Sequence, residues 1–152
     1  MRRMLDEQKL GFVATVCPDG TPNLSPKGTC VALDDGRLAF ADIRSPRTIE
    51  NLRLNPALEI NVVDQVTRKG YRFKGRAAVL GEGPEFEALA AFFRSRGSTS
   101  AKRHIVVMSV ERAAPLISPA YDDGRAEAAV TAQWLEHWRK LWRRRRRRST
   151  SG

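Results

Sequence analysis

The chain is poor in the features that would make it a membrane-spanning, disulfide-bonded or metal-dependent protein. It has no apolar run near the roughly 18 residues that a spanning helix needs, so no membrane span is expected. Its two cysteines, Cys17 and Cys30, are too few for a zinc site and show no Cys-x-x-Cys spacing. Both fall in strand-like runs and read as half-buried thiols in a reducing compartment. Its two histidines, His104 and His137, have no acidic or histidine neighbours at metal spacing, so no metal site is expected. Gly-x-Ser-x-Gly, Walker A and Gly-x-Gly-x-x-Gly patterns are missing, which leaves hydrolase and P-loop chemistry without a foothold. After Arg2 and Arg3 come Asp6, Glu7 and Lys9 rather than an apolar stretch, so no secretory leader is read there and the cytoplasm is the expected compartment.

Acidic residues are also scarce: 17 Asp and Glu stand against 27 Lys and Arg, a formal net charge of +10. Six of those positive charges lie in the uninterrupted run from Arg143 to Arg148, so the strongly basic balance is chiefly a tail property. Adjacent like charges repel and are usually solvated, giving a weak, salt-sensitive and sequence-independent grip on a polyanion. Just before them, Val130, Trp134, Leu135, Trp138, Leu141 and Trp142 recur at helical spacing. This stripe reads first as a packing face against the body or a second copy, with membrane-surface and nucleic-acid binding as the competing readings.

What is abundant is strand signal. Strands are predicted at about 11–17, 22–25, 28–33, 37–43, 57–64, 71–80 and 104–112, with helices at about 2–8, 46–54 and 85–95. Pro18-Asp19-Gly20 and Asp35-Gly36 mark tight turns. A size of 152 residues suits one core, and hairpin spacing favours an antiparallel barrel over a doubly wound sheet. Along 71–77, Arg72, Lys74 and Arg76 alternate with apolar residues and so share one face.

Two local patterns carry chemistry. In Ser45-Pro46-Arg47-Thr48, Ser45 reads as an N-cap and Pro46 as the first helical residue, before the run Ile49 to Asn55. The unpaired N–H groups and the positive end of the helix dipole attract an anion there, and Arg47 and Thr48 add a charge and a hydroxyl. A capped surface helix that binds nothing is the competing reading. In Asn23-Leu24-Ser25-Pro26-Lys27-Gly28-Thr29, a proline and a glycine interrupt strand signal and predict a bulge that turns backbone amides outward, with Lys27 as an added charge.

Taken in order, Gly11-Phe12-Val13-Ala14-Thr15-Val16, the Pro22 to Gly28 segment, Asp35 to Phe40, the Arg47-Thr48 helix, the Asn55-Pro56 stop and Tyr71 to Ala77 form a pattern. It resembles the pyridoxamine 5'-phosphate oxidase-like family of FMN-binding split barrels, and Gly83 to Ala88 is similar to the helix opening of its small flavoredoxin-like members. The resemblance covers about residues 1–118, leaving a Trp-rich helical extension at 119–142 and an arginine tail at 143–152. It implies a mainly β, α+β fold: a six-stranded antiparallel split β-barrel with short flanking helices and a C-terminal helix.

The resemblance further implies that Arg47 and Thr48 hold an FMN phosphate with Ser45 beside them, and that Ser25, Lys27 and Gly28 lie along the cofactor. Backbone from Asp42 through Ile43 to Arg44 would edge the ring or ribityl chain. One of Arg72, Lys74 and Arg76 would come near the flavin at a dimer interface. It also implies a homodimer, a small-molecule electron donor or acceptor, and an FMN-dependent oxidoreductase of unknown substrate, with no catalytic side chain singled out. The alternatives are a non-enzymatic carrier of flavin, deazaflavin or haem, His104 and His137 then being the haem ligands to consider, and a basic nucleic-acid-binding barrel. True pyridoxamine phosphate oxidases are longer and end in an ordered basic substrate-binding segment, which argues against a vitamin B6 substrate here.

Overall fold

The computed structural model describes residues 1–149, with side chains through Arg146; residues 150–152 of the predicted tail lie outside the described part. In chain order the elements are α1 (Arg2–Gln8), β1 (Gly11–Val16), β2 (Pro22–Lys27), β3 (Val31–Ala32), β4 (Arg37–Asp42), α2 (Pro46–Leu54), β5 (Ala57–Asp64), β6 (Lys69–Leu80), α3 (Pro84–Ser95), β7 (His104–Ile117), a 3-10 turn (Pro119–Tyr121) and α4 (Glu127–Ser149). All seven strands join one antiparallel sheet in the order β2-β1-β5-β6-β7-β4-β3. The two edges of that sheet, β2 and β3, are consecutive in the chain and separated by only three residues, 28–30. At about 3.3–3.6 Å per residue such a link cannot cross a flat seven-stranded sheet, so the sheet has to curl into a barrel with one split.

The predicted alternation is visible in burial. Val13 and Thr15 of β1 point inward while Phe12 and Val16 point out, and Phe73 of β6 is buried between exposed Arg72 and Lys74. Leu5, Val13, Leu38, Phe40, Ile60 and Met108 are among the side chains that fill the barrel, capped by Ile49 and Leu52 from one face of α2. β4 differs from the other strands because both its faces are covered. Leu38 and Phe40 enter the barrel, while Ala39 and Ala41 pack with Ala90 and Phe93 of α3 and with Ile105. Five consecutive residues of β4 are therefore buried, and the run ends on a carboxylate, Asp42.

Two boundaries differ from expectation for physical reasons. Pro26 makes no bulge: β2 pairs with β1 in unbroken register from Val16↔Pro22 to Gly11↔Lys27. As an edge strand, β2 lets a proline leave one ladder position unpaired without disturbing a neighbour. The irregularity in the sheet lies instead between Lys74 and Gly75, where a Cβ on Gly75 would come within 2.0 Å of the Ser109 carbonyl oxygen. Strand β3 shrinks to two residues because the segment before it spans the split. Within that segment the Thr29 hydroxyl substitutes for ladder bonds, accepting from the Ala41 N–H at 2.9 Å and donating to the Ala41 carbonyl at 3.3 Å. β3 is thus a short seventh strand beside the six longer ones.

The tail is more regular than its charge predicts. α4 continues through the arginine run to Ser149, consistent with arginine's good helix propensity and the favourable placing of cations at a helix C-terminus. Its first turns dock on the body. Val130 is fully buried, Arg68 lies 4.3 Å over the Trp134 ring, and Lys69 pairs with Glu127 at 2.5 Å.

Candidate functional site

The split of the barrel and the start of α2 meet at Lys27. This last residue of β2 is only 4% exposed, an unusual depth for an ammonium group. Its Nζ donates to the Ser25 hydroxyl at 2.6 Å and to the Ser45 hydroxyl at 2.5 Å, and it lies 5.9 Å from the centre of the Phe40 ring. Burial pushes its pKa below the usual lysine value, and the nearby Asp42 carboxylate opposes that shift. An ammonium has three donors, and the two serines take two of them.

Ser45 does not cap α2 with its side chain. Its hydroxyl is committed to Lys27, while its own N–H donates to Asp42 Oδ1 at 2.8 Å. Ser45 thus occupies the predicted N-cap position, its carbonyl accepting from Ile49 N, while its side chain serves Lys27 instead of the helix N–H groups. Pro46 begins the helix, and the N–H groups of Arg47 and Thr48 have no intrahelical partner by the geometry of a helix start. Thr48 also departs from the reading made from sequence, being 2% exposed with its hydroxyl turned inward to within 3.4 Å of Asn23 Nδ2. What it offers an anion is its backbone N–H. Arg47 is exposed at the first turn, and its charge reaches the β1–β2 turn. There Asp19 is held below the ordinary carboxylate range, chiefly by the Thr21 hydroxyl, with Arg47 adding a smaller effect.

A cleft of about 690 Å³ opens beside this helix start. Ser25, Lys27, Gly28, Ile43, Arg44 and Ser45 line it, so six of the nine residues singled out from sequence share one cavity. Lys9, Arg96 and the loop 97–100 also line it, and the sequence did not point to any of them. Asp42 is buried beneath the cleft rather than lining it; its backbone carbonyl accepts from Arg103 N and its carboxylate is 3.3 Å from His104 Nδ1. His104 Nε2 faces Arg53 at 3.0 Å, so each ring nitrogen has a side-chain partner in this structure. His137 stands on α4 between the edges of Trp134 and Trp138.

Beneath α2 lies a polar network that the sequence did not disclose. Thr15 Oγ1 accepts from Asn51 Nδ2 at 3.0 Å and from Asn23 Nδ2 at 3.1 Å, and Asn51 Nδ2 also approaches Cys17 Sγ at 3.5 Å. These bonds tie the helix to β1 and β2 and fix the direction of its N-terminus. Burial raises the Cys30 thiol to about 12, which leaves it inert. The face predicted for Arg72, Lys74 and Arg76 is exposed, and Arg72 and Lys74 pair with Glu59 at 2.8 and 3.4 Å.

Comparison with known proteins accounts for this architecture. A family model described as pyridoxamine 5'-phosphate oxidase matches residues 1–116. The chain is 31% identical to HupZ of Group A Streptococcus, covering 78% of this chain and 92% of that one with a TM-score of 0.71. An FMN-binding protein from Syntrophomonas wolfei is 17% identical, covers 75% of this chain and 82% of its own, and superposes with a TM-score of 0.64. An F420 reductase is 21% identical over 74% of this chain and 94% of its own, with a TM-score of 0.59. At those identities the last two likenesses concern the fold alone. No curated protein matches the chain. The match over residues 1–116, carried by a curled antiparallel sheet whose split opens at a helix start, places the chain in the pyridoxamine 5'-phosphate oxidase-like family of FMN-binding split barrels.

Proposed function

We propose that the chain binds FMN with its phosphate at the start of α2 and acts as an FMN-dependent oxidoreductase. The observation that carries this reading is the buried Lys27 ammonium, held by Ser25 and Ser45 against an α2 N-terminus that has no side-chain cap. A buried cation is costly unless something compensates it, and the two hydroxyls and the nearby Asp42 carboxylate still leave the lysine pKa lowered by burial. A phosphate at the helix start would pair with that charge, accept from the N–H groups of Arg47 and Thr48, and meet the Arg47 guanidinium from the solvent side. The cleft volume suits a nucleotide-sized ligand, since small-molecule sites span about 300–1,000 Å³.

Bound FMN supplies hydride or electron transfer at its ring, and the protein supplies orientation and charge. Lys27 would serve the phosphate end, and Gly28, Ile43 and Arg44, which line the same cleft, would border the ring or ribityl chain. The substrate class is a small electron donor or acceptor that reaches an open ring face. Steady-state NAD(P)H oxidation by the flavin-loaded protein separates an enzyme from a carrier.

The outer face of β1 and β2 exposes Phe12, Val16 and Leu24 at 40, 41 and 65%. Contiguous apolar groups of this kind mark an interaction face. We assign it to a second copy, giving a homodimer whose partner would complete the flavin site.

Three outcomes are expected. Arg47→Ala should weaken FMN binding roughly ten- to a hundredfold, as for loss of one charge-assisted hydrogen bond worth about 1.5–3 kcal/mol, without lowering the melting temperature. Unchanged affinity in a fluorescence titration contradicts the assignment. Lys27 and Cys30 pull the alkaline stability of the flavin-free protein in opposite directions. The folded pKa of Lys27 lies below its unfolded value, so the unfolded chain holds the extra proton between the two and the Lys27 contribution to stability rises with pH, whereas the Cys30 thiol, pushed up to about 12, makes stability fall over the same range. The Lys27 contribution is therefore read as the difference between the native protein and Lys27→Met in denaturant unfolding, which should grow in favour of the native protein as pH rises; a difference that does not change with pH would show that Lys27 carries no burial cost. Light scattering should give twice the chain mass of 17.0 kDa, falling to the monomer in Leu24→Glu, whereas a monomeric native protein with stoichiometric flavin rules the dimer out.

A further inference from the structure

The distal half of α4 takes no part in the site or in the docking described above, yet its composition is specific. Between Trp134 and Ser149 there are eight arginine and lysine residues and one glutamate, Glu136, which is paired with Lys140. At 3.6 residues per turn, Leu135, Trp138 and Trp142 fall on one side of the helix, bordered by Arg139 and Arg143 on one edge, while Lys140 and Arg144 lie opposite and Trp134, His137 and Leu141 take up the remainder; Trp138 itself is half-buried. Arg145 lies 5.9 Å over the Trp142 ring at the margin of that side. The body covers the proximal end through Val130 and Arg68, but Leu135 remains 37% exposed and Trp142 62% exposed.

From this we infer that the distal half of α4 is an interfacial helix that lies on an anionic lipid surface, with Leu135 and Trp142 entering the headgroup boundary and the flanking arginines meeting lipid phosphates. Charge complementarity selects an anionic partner, and the apolar pair selects a bilayer over a nucleic acid. Arginines grip a nucleic-acid backbone without help from leucine or tryptophan, whereas an interfacial helix needs an apolar side rimmed by cations. Tryptophan suits that boundary because its body is apolar and its N–H polar, and arginine can lay its stem along the apolar zone while its head stays hydrated. No helix among the described residues is long and apolar enough to cross a membrane, so this contact lies on the surface.

The three tryptophans of the chain, Trp134, Trp138 and Trp142, all sit on α4, so selectively excited tryptophan emission reports on this helix alone. The full chain is mixed with phosphatidylcholine vesicles with and without phosphatidylglycerol, and sedimentation and tryptophan emission are followed. Sedimentation with the anionic vesicles only, a blue shift, and reversal by salt are expected. The double variant Leu135→Ser/Trp142→Ser changes exposed side chains and keeps every cation, and its partitioning should fall roughly ten- to a hundredfold. A second variant, Arg143→Gln/Arg144→Gln, keeps the apolar pair and six of the eight cations, and its binding to the anionic vesicles should fall roughly ten- to a hundredfold. No vesicle binding, or vesicle binding indifferent to Leu135 and Trp142, overturns the inference. So does tighter binding to duplex DNA that both native protein and double variant share, or a change of oligomeric state in the double variant.

Discussion

The three-residue link between the sheet edges is the constraint on which the rest of the molecule depends. Because β2 ends at Lys27 and β3 begins at Val31, the sheet has to curl until its first and last strands nearly meet. The split left between them is held by the Thr29 hydroxyl on both backbone groups of Ala41, and the strand so held, β4, is the one covered on both faces. Its last residue, Asp42, is buried by that arrangement and in turn fixes the Ser45 N–H. Curl, split and helix start are therefore one construction. The chemistry-bearing residues converge because the chain has no slack to place them elsewhere.

That construction brings a lysine into the protein at the point where a helix presents unpaired N–H groups. Two serine hydroxyls accept from the ammonium and Asp42 contributes a nearby charge, but burial still lowers the lysine pKa. The ammonium is thus left partly uncompensated at the point where helix N–H groups are unpaired, and a bound anion there would oppose the lowering of the lysine pKa. The polar network of Thr15, Asn23 and Asn51 sets the helix direction, so that positive charge and dipole act on the same point. Arg47, on the solvent side, is placed to act on the rate and strength of capture more than on the shape of the site.

Much of this was legible in the sequence, and what was not has a physical explanation. Alternation along 11–16 and 71–76 reports inward and outward faces directly, so the exposed cations of β6 followed from period two, while hairpin spacing favoured an antiparallel barrel and the family resemblance implied its split. Pro46 ahead of an apolar helix face located α2, and the residues named around Ser25 to Gly28 and Ile43 to Ser45 do line one cleft. Pro26 misled because its meaning depends on whether a strand is central or at an edge, which is a tertiary fact. Ser45 does stand at the N-cap position that local rules give it, but its hydroxyl is claimed by a lysine from another strand, which those rules do not show. Thr29, Thr15 and Asn51 carry no local signature, since each acts across a long sequence separation. The helical course of the arginine run was concealed by its charge, which argues for solvation and says little about backbone.

The central claim is that Lys27 and the α2 start recognise a phosphate, and the most direct measurement compares FMN with riboflavin, which lacks that group. Calorimetric titration of the native protein and of Lys27→Met with both ligands isolates the contribution of the phosphate. The account predicts that the native protein prefers FMN by roughly ten- to a hundredfold and that this preference collapses in Lys27→Met while riboflavin affinity stays the same. Equal affinity of the native protein for the two ligands, or a preference that survives the loss of Lys27, would contradict it.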